Sequence, residues 1–216
     1  MSGRNGDWSS EWYQDIFKEA SNIAISHALT ALSQMIGTIE MEPPKVGLLS
    51  RIELLRELAG RGIRESVVVM FDIKEGLRGL TILQFPLKSA KSLVSMLVGN
   101  EGEIDDVGRS AIMEVGNILI SVYTDMLAKL IGEPVSLSPP KPAESLYDIE
   151  RELSRPELRD VEKVVAFRTR FYQKDTGIES YFYVVPTKES FKKLVTRLEE
   201  MLQNVDVGTG GSGEGN

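Results

Sequence analysis

Two hydrophobic periods alternate along the chain, and the clearest is helical. From Ser110 to Tyr123 (SAIMEVGNILISVY) the polar residues Ser110, Glu114, Asn117 and Ser121 fall at i, i+4, i+7 and i+11. That spacing places them on one stripe of a helix. Ile112, Met113, Val115, Ile118, Leu119, Ile120 and Val122 fill the positions between. A carboxylate and an amide three residues apart therefore project together from an otherwise apolar helix. The stripe occurs a second time, as Asp15, Glu19, Asn22 and Ser26. The helical pattern around each copy predicts long helices from Glu11 to Gly37 and from Asp106 to Ile131, the second stopped by Gly132.

The other segments read as short elements. Thr38 to Met41 reads as a strand before Pro43-Pro44. Ser50 with Glu53 makes a capping box for a helix through Ala59. Ser66 to Ile73 (SVVVMFDI), rich in β-branched residues, and Leu77 to Phe85 read as a hairpin around Lys74-Glu75-Gly76. Pro86 opens a helix to Val98, where Gly99 stops it. Val135 to Leu137 reads as a strand before Pro139-Pro140, and Ala143 to Leu153 as a helix in a charged stretch. A second hairpin is predicted from Val161 to Phe171 and Ser180 to Val185. A last helix, capped by Thr187, is predicted to end near Leu202. Residues 1–10 and the Gly-rich 205–216 read as flexible ends.

Side by side, the halves repeat. Asp15 meets Ser110, Glu19 meets Glu114, Asn22 meets Asn117, and Pro44 meets Pro139. The repeats span about 11–100 and 106–204 of a single 11–204 domain. Neither holds enough strands to close a core alone. The expected fold is therefore α+β, a pseudo-two-fold symmetric single domain. It has an antiparallel sheet with two long helices packed against it.

Composition narrows the chemistry. The chain has 216 residues, a net charge of −7, one histidine and no cysteine. Absent cysteines exclude disulfide frameworks, thiolate metal sites and thiol nucleophiles. An acidic chain without a basic cluster is a poor nucleic-acid binder, so no nucleic-acid partner is expected. No run of eighteen apolar residues and no apolar leader occur, so the expectation is a cytoplasmic protein without a membrane partner. No phosphate loop, HExxH or paired-aspartate spacing is present, and no metal site is expected. Chemistry, if any, rests on carboxylates and amides. Asparagine moves no proton, but its amide both donates and accepts, so it can hold a water in a fixed direction. That suffices to hydrolyse an activated phosphoryl group, whose loose transition state needs in-line positioning more than proton abstraction.

The pattern D/S-x3-E-x2-N with a following proline resembles the CheC family of chemotaxis phosphatases. It is carried by Asp15, Glu19, Asn22 and Pro44, and again by Ser110, Glu114, Asn117 and Pro140. Two copies in register weigh far more than one, and they weigh against Glu19 and Glu114 being merely solvated residues. The resemblance implies hydrolysis of the aspartyl phosphate of a CheY-type response regulator. Asn22 and Asn117 would orient the attacking water, and Glu19 and Glu114 would contact the regulator's active-site lysine. Asp15 and Ser110 would support the helix starts. The resemblance implies no cofactor of the chain's own, with Mg2+ on the regulator, and a second partner in the receptor deamidase CheD. The first copy departs from the family's E-x-G-N-I-G-x-G, because Ser21, Ala24 and Ser26 stand where glycines would let a partner backbone approach. The second keeps Gly116 and is expected to be the stronger site. Two rival readings are a non-catalytic adaptor for the regulator or CheD and a flagellar-switch component.

Overall fold

The computed structural model describes residues 45–99, 104–162, 164–173 and 176–208, with positions 30–31, 33–34, 37–38 and 40–41. Asp15, Glu19, Asn22, Ser26, His27 and Pro44 lie outside the described residues, as do both ends at 1–10 and 209–216.

Among the described residues, seven strands form one sheet in which all pairings are antiparallel. They are β1 (Glu40–Met41), β2 (Lys45–Leu49), β3 (Ser66–Ile73), β4 (Gly79–Pro86), β5 (Lys141–Ala143), β6 (Val164–Gln173) and β7 (Thr176–Pro186). The described helices are α1 (Arg51–Gly60), α2 (Leu87–Val98), α3 (Asp106–Ile131), α4 (Leu146–Leu153) and α5 (Lys188–Gly208). The order is β1-β6-β7-β4-β3-β5, and β2 shares the β6 edge with β1. The two hairpins meet at the centre, where Ile82 pairs with Tyr183 and Leu83 with Phe182.

The short strands show how the halves close one core. Met41 pairs with Phe171 as Leu137 bridges Ile73. Lys45 pairs with Arg168 as Lys141 pairs with Met70, and Gly47 pairs with Ala166 as Ala143 pairs with Val68. Each half lends its short strand to the other half's hairpin. The helices that follow match as well. Ser50 caps α1 in a reciprocal box with Glu53, and Ser145 caps α4 in the same box with Asp148.

Both faces of the sheet are covered, which explains why SVVVMFDI is apolar at nearly every position rather than at alternate ones. Val69, Phe71, Leu83, Phe85, Phe182 and Val184 pack with Leu93 and Val94 of α2, Val115, Leu119 and Tyr123 of α3, and Leu194 of α5. Val68, Met70, Leu80, Ile82, Tyr183 and Val185 pack with Leu54 and Leu58 of α1 and Ile149 and Leu153 of α4. Each of these leucines is essentially inaccessible, a burial that contributes about 2 kcal/mol per side chain.

The expected α+β fold with helices packed against an antiparallel sheet is found, with helices on both faces; of the two long ones only α3 falls among the described residues. The structure corrects the sequence reading in three places. Residues 135–137 form no strand beyond the Leu137 bridge; the strand is β5, past the prolines. Pro139 and Pro140 have no N–H to donate, so the ladder with β3 breaks at them and resumes at Lys141. Lys45–Leu49, given no element from the sequence, is a strand. The last helix continues to Gly208, into the segment expected to be flexible, because no Gly or Pro interrupts residues 203–207.

α3 is by length and composition apolar enough to cross a membrane over Asp106–Lys129, although no run of consecutive apolar residues suggested it. Half of its apolar window is buried inside the protein.

Candidate functional site

α3 carries the second stripe, and its ends are fixed locally. Asp105 accepts a hydrogen bond from the Gly108 amide at 2.8 Å, satisfying one of the free donors of the first turn. Gly132, at φ 70°, ends the helix in the left-handed region and returns the chain toward β3. Ile112, Val115, Leu119, Ile120, Tyr123 and Leu127 are buried, which fixes the rotation of the helix about its axis. Ser110, Glu114 and Asn117 are then exposed on the opposite side. The Ser110 hydroxyl donates to the Asp106 carbonyl one turn back at 2.9 Å. Among the described residues, no hydrogen bond engages the side chain of Glu114 or Asn117.

The stripe forms one wall of an open groove of about 540 Å3. Met113, Ser121 and Asp125 continue that wall. Val135, Leu137, Ser138, Pro139 and Pro140 form the other. The proline of the sequence motif therefore stands across the groove from its glutamate and asparagine. Asp125 and the residues flanking the prolines were not singled out from sequence. Continuing the helical period past Ser121 would have reached Asp125.

The second wall is fastened to the end of β3. Lys74 N donates to Ser136 O at 2.9 Å, Ser138 N to Asp72 O at 2.9 Å, and Asp72 N to Ser138 Oγ at 2.9 Å. The Asp72 carboxylate receives Lys141 Nζ at 2.8 Å and Arg155 Nη2 at 2.6 Å. Burial alone would raise the Asp72 pKa, but Lys141 and Arg155 outweigh it and hold the carboxyl below its ordinary value. Gly76, at φ 68°, lets the return loop pass: a β-carbon there would stand 2.4 Å from the Pro134 carbonyl. Lys193 of α5 pairs with Glu133 at the start of the loop.

Gly116 does not serve the approach of a partner. It is buried, and its α-carbon faces Leu83 on the sheet. The glycine expected to open the site to a docked backbone instead seats α3 on β4. Of the predicted residues, the structure brings Ser110, Glu114, Asn117 and Pro140 together, while Asp15, Glu19 and Asn22 lie outside the described residues.

Comparisons with known proteins fall on both stripes. Residues 67–158 match the family described as chemotaxis phosphatase CheX, and residues 14–48 match the CheC-like family. A Bacillus subtilis (strain 168) protein named CheY-P phosphatase CheC is 29% identical over 199 residues, covering 87% of this chain and 94% of its own length. Among solved structures, Thermotoga maritima FliY is similar with a TM-score of 0.70 at 23% identity, over 90% of this chain and 99% of that one. The FliM middle domain from H. pylori gives 0.60 at 10% identity, over 87% and 96%. The two structures share the fold with this chain.

Proposed function

Because the chain is related to the CheC family of chemotaxis phosphatases, we propose that it hydrolyses the aspartyl phosphate of a CheY-type response regulator. The observation that carries this reading is the placement of Glu114 and Asn117. They stand exposed, three residues apart on a helix fixed by its buried face, opposite a proline wall. In the proposed mechanism the regulator docks over α3. The Glu114 carboxylate meets a cationic group of the regulator's active site, its lysine, in a charge-assisted hydrogen bond. The Asn117 amide accepts from and donates to one water and holds it in line with the phosphorus–oxygen bond to be broken. Water attacks phosphorus, the aspartate leaves as a carboxylate, and inorganic phosphate is released. The rate gain comes from orientation, not from proton abstraction by this chain. The Mg2+ that balances the phosphoryl charge would arrive with the regulator.

Glu19 and Asn22 form the equivalent pair of the first half and are proposed as a second site. CheD is proposed as a further partner on the family relationship alone.

The test is the decay of a phosphorylated CheY-type regulator with this protein at about one-tenth its concentration. Accelerated decay to completion is the expected result. Loss of phosphate limited to the amount of protein added would overturn catalysis and leave the adaptor reading.

A further inference from the structure

Asp72 grips the groove wall on both sides of the two prolines. Its main chain holds Ser138, through Ser138 N to Asp72 O and Asp72 N to Ser138 Oγ, each at 2.9 Å. Its carboxylate holds Lys141 at 2.8 Å. Pro139 and Pro140 are the two residues between. Lacking N–H groups, they donate no ladder bond to β3, so their placement leans on the flanking residues. The Ser138 hydroxyl also donates to the Pro139 carbonyl at 2.9 Å. The carboxylate is itself braced by Arg155 at 2.6 Å and is 15% exposed, whereas the Lys141 side chain is 45% exposed.

In the other half the position that matches Asp72 is not a carboxylate. Lys45 pairs with Arg168 as Lys141 pairs with Met70, so the register position matching Asp72 is Arg170. Where the second half has an aspartate two residues past the partner of Lys141, the first has an arginine two residues past the partner of Lys45. Two cations do not attract, so that residue pair cannot form the same bond.

Resting on the phosphatase reading, we propose that Asp72 is a positioning residue for the Glu114/Asn117 site alone. It clamps Pro139-Pro140 at the distance from α3 that a docked regulator needs. The two sites of the molecule then differ in preorganisation, because the second has an aspartate at the position where the first has an arginine.

The experiment places Asp72→Asn in two backgrounds, Asn22→Ala, which leaves the second site, and Asn117→Ala, which leaves the first. In the Asn22→Ala protein, kcat for the phosphorylated regulator should fall about tenfold, as expected for a misplaced reacting geometry, with a smaller change in KM. Asp72→Glu should restore part of it. In the Asn117→Ala protein kcat should not change, although both backgrounds lose stability alike. Amide exchange at Leu137, Ser138 and Lys141 should quicken in Asp72→Asn while α3 amides keep their rates. Equal loss of kcat in both backgrounds, or unchanged exchange at Leu137, Ser138 and Lys141, would overturn the proposal. If the Asn22→Ala and Asn117→Ala proteins both have no activity to lose, it is the phosphatase reading that fails, and the exchange rates alone then decide whether the clamp exists.

Discussion

The α-carbon of Gly116 faces Leu83 so closely that a β-carbon there would stand 3.2 Å from the leucine Cδ2. The residue beside the candidate catalytic asparagine is thus a contact between helix and sheet, and it sets how deeply α3 sits. Gly116→Ala gains helix propensity of about 1 kcal/mol and asks Leu83 to give by a few tenths of an ångström, so it should be close to neutral. Gly116→Val overfills the contact and should cost about 1–3 kcal/mol in urea unfolding.

Glu114 and Asn117 should separate kinetically. In a protein already carrying Asn22→Ala, Asn117→Ala should lower kcat by about 10²–10³, by analogy with a lost oxyanion donor. Glu114→Gln keeps the shape but removes the charge, and should act mainly on KM, raising it by roughly tenfold. Steady-state phosphate release over a range of regulator concentration measures both. A double Asn22→Ala/Asn117→Ala protein that is folded and turns over at the wild-type rate would exclude the proposed roles.

The Asp72 cluster predicts a specific acid limb. A carboxylate whose folded pKa lies below its unfolded value adds stability that is present above the unfolded pKa and lost as pH falls through the folded one. For Asp72 the reference value is 3.8 and the shift is downward, through Lys141 and Arg155. The contribution is therefore whole at neutral pH and disappears below the reference value. Asp72→Asn should destabilise by about 2 kcal/mol at neutral pH, as for lost hydrogen bonds between charged groups. The gap between the two proteins should close as unfolding is repeated toward about pH 3.

The twin capping boxes give a test of the symmetry in energetic terms. The Glu53 amide donates to Ser50 Oγ at 3.2 Å, and Ser50 N donates to Glu53 Oε2 at 2.6 Å. Ser50→Ala should cost about 1 kcal/mol in thermal unfolding. Ser145→Ala should destabilise with the same sign, because Asp148 N donates to Ser145 Oγ and Ser145 N to Asp148 Oδ2 in the same way.

Helix α3 was legible because its signals are local. Asp106–Ile131 begins after a capping aspartate, ends at a glycine, and keeps one period throughout. The α1 box was legible for the same reason. The α4 box escaped notice as its partner because aspartate replaces glutamate at the reciprocal position, within a stretch whose charges obscured the period. β2 and β5 escaped because a short edge strand is defined by the neighbour it pairs with, and those neighbours are β6 and β3, far away in sequence. The function of Gly116 was misjudged because sequence shows that a glycine is present but not which side its missing side chain would occupy.

By itself, the sequence determined the hydrophobic periods, the caps and stops, the repeated Glu/Asn stripe and the absence of thiol chemistry, all of which depend on neighbours within a few turns or on composition. Only the tertiary structure decided that each half lends its short strand to the other's hairpin and that the prolines stand across a groove from Glu114 and Asn117. It also decided that Asp72 holds those prolines from both sides. The physical reason is range. Helical phase and capping are set by bonds between residues three or four apart, whereas a groove needs two walls. Here the walls are joined through a sheet register and a salt bridge between residues that only folding brings together.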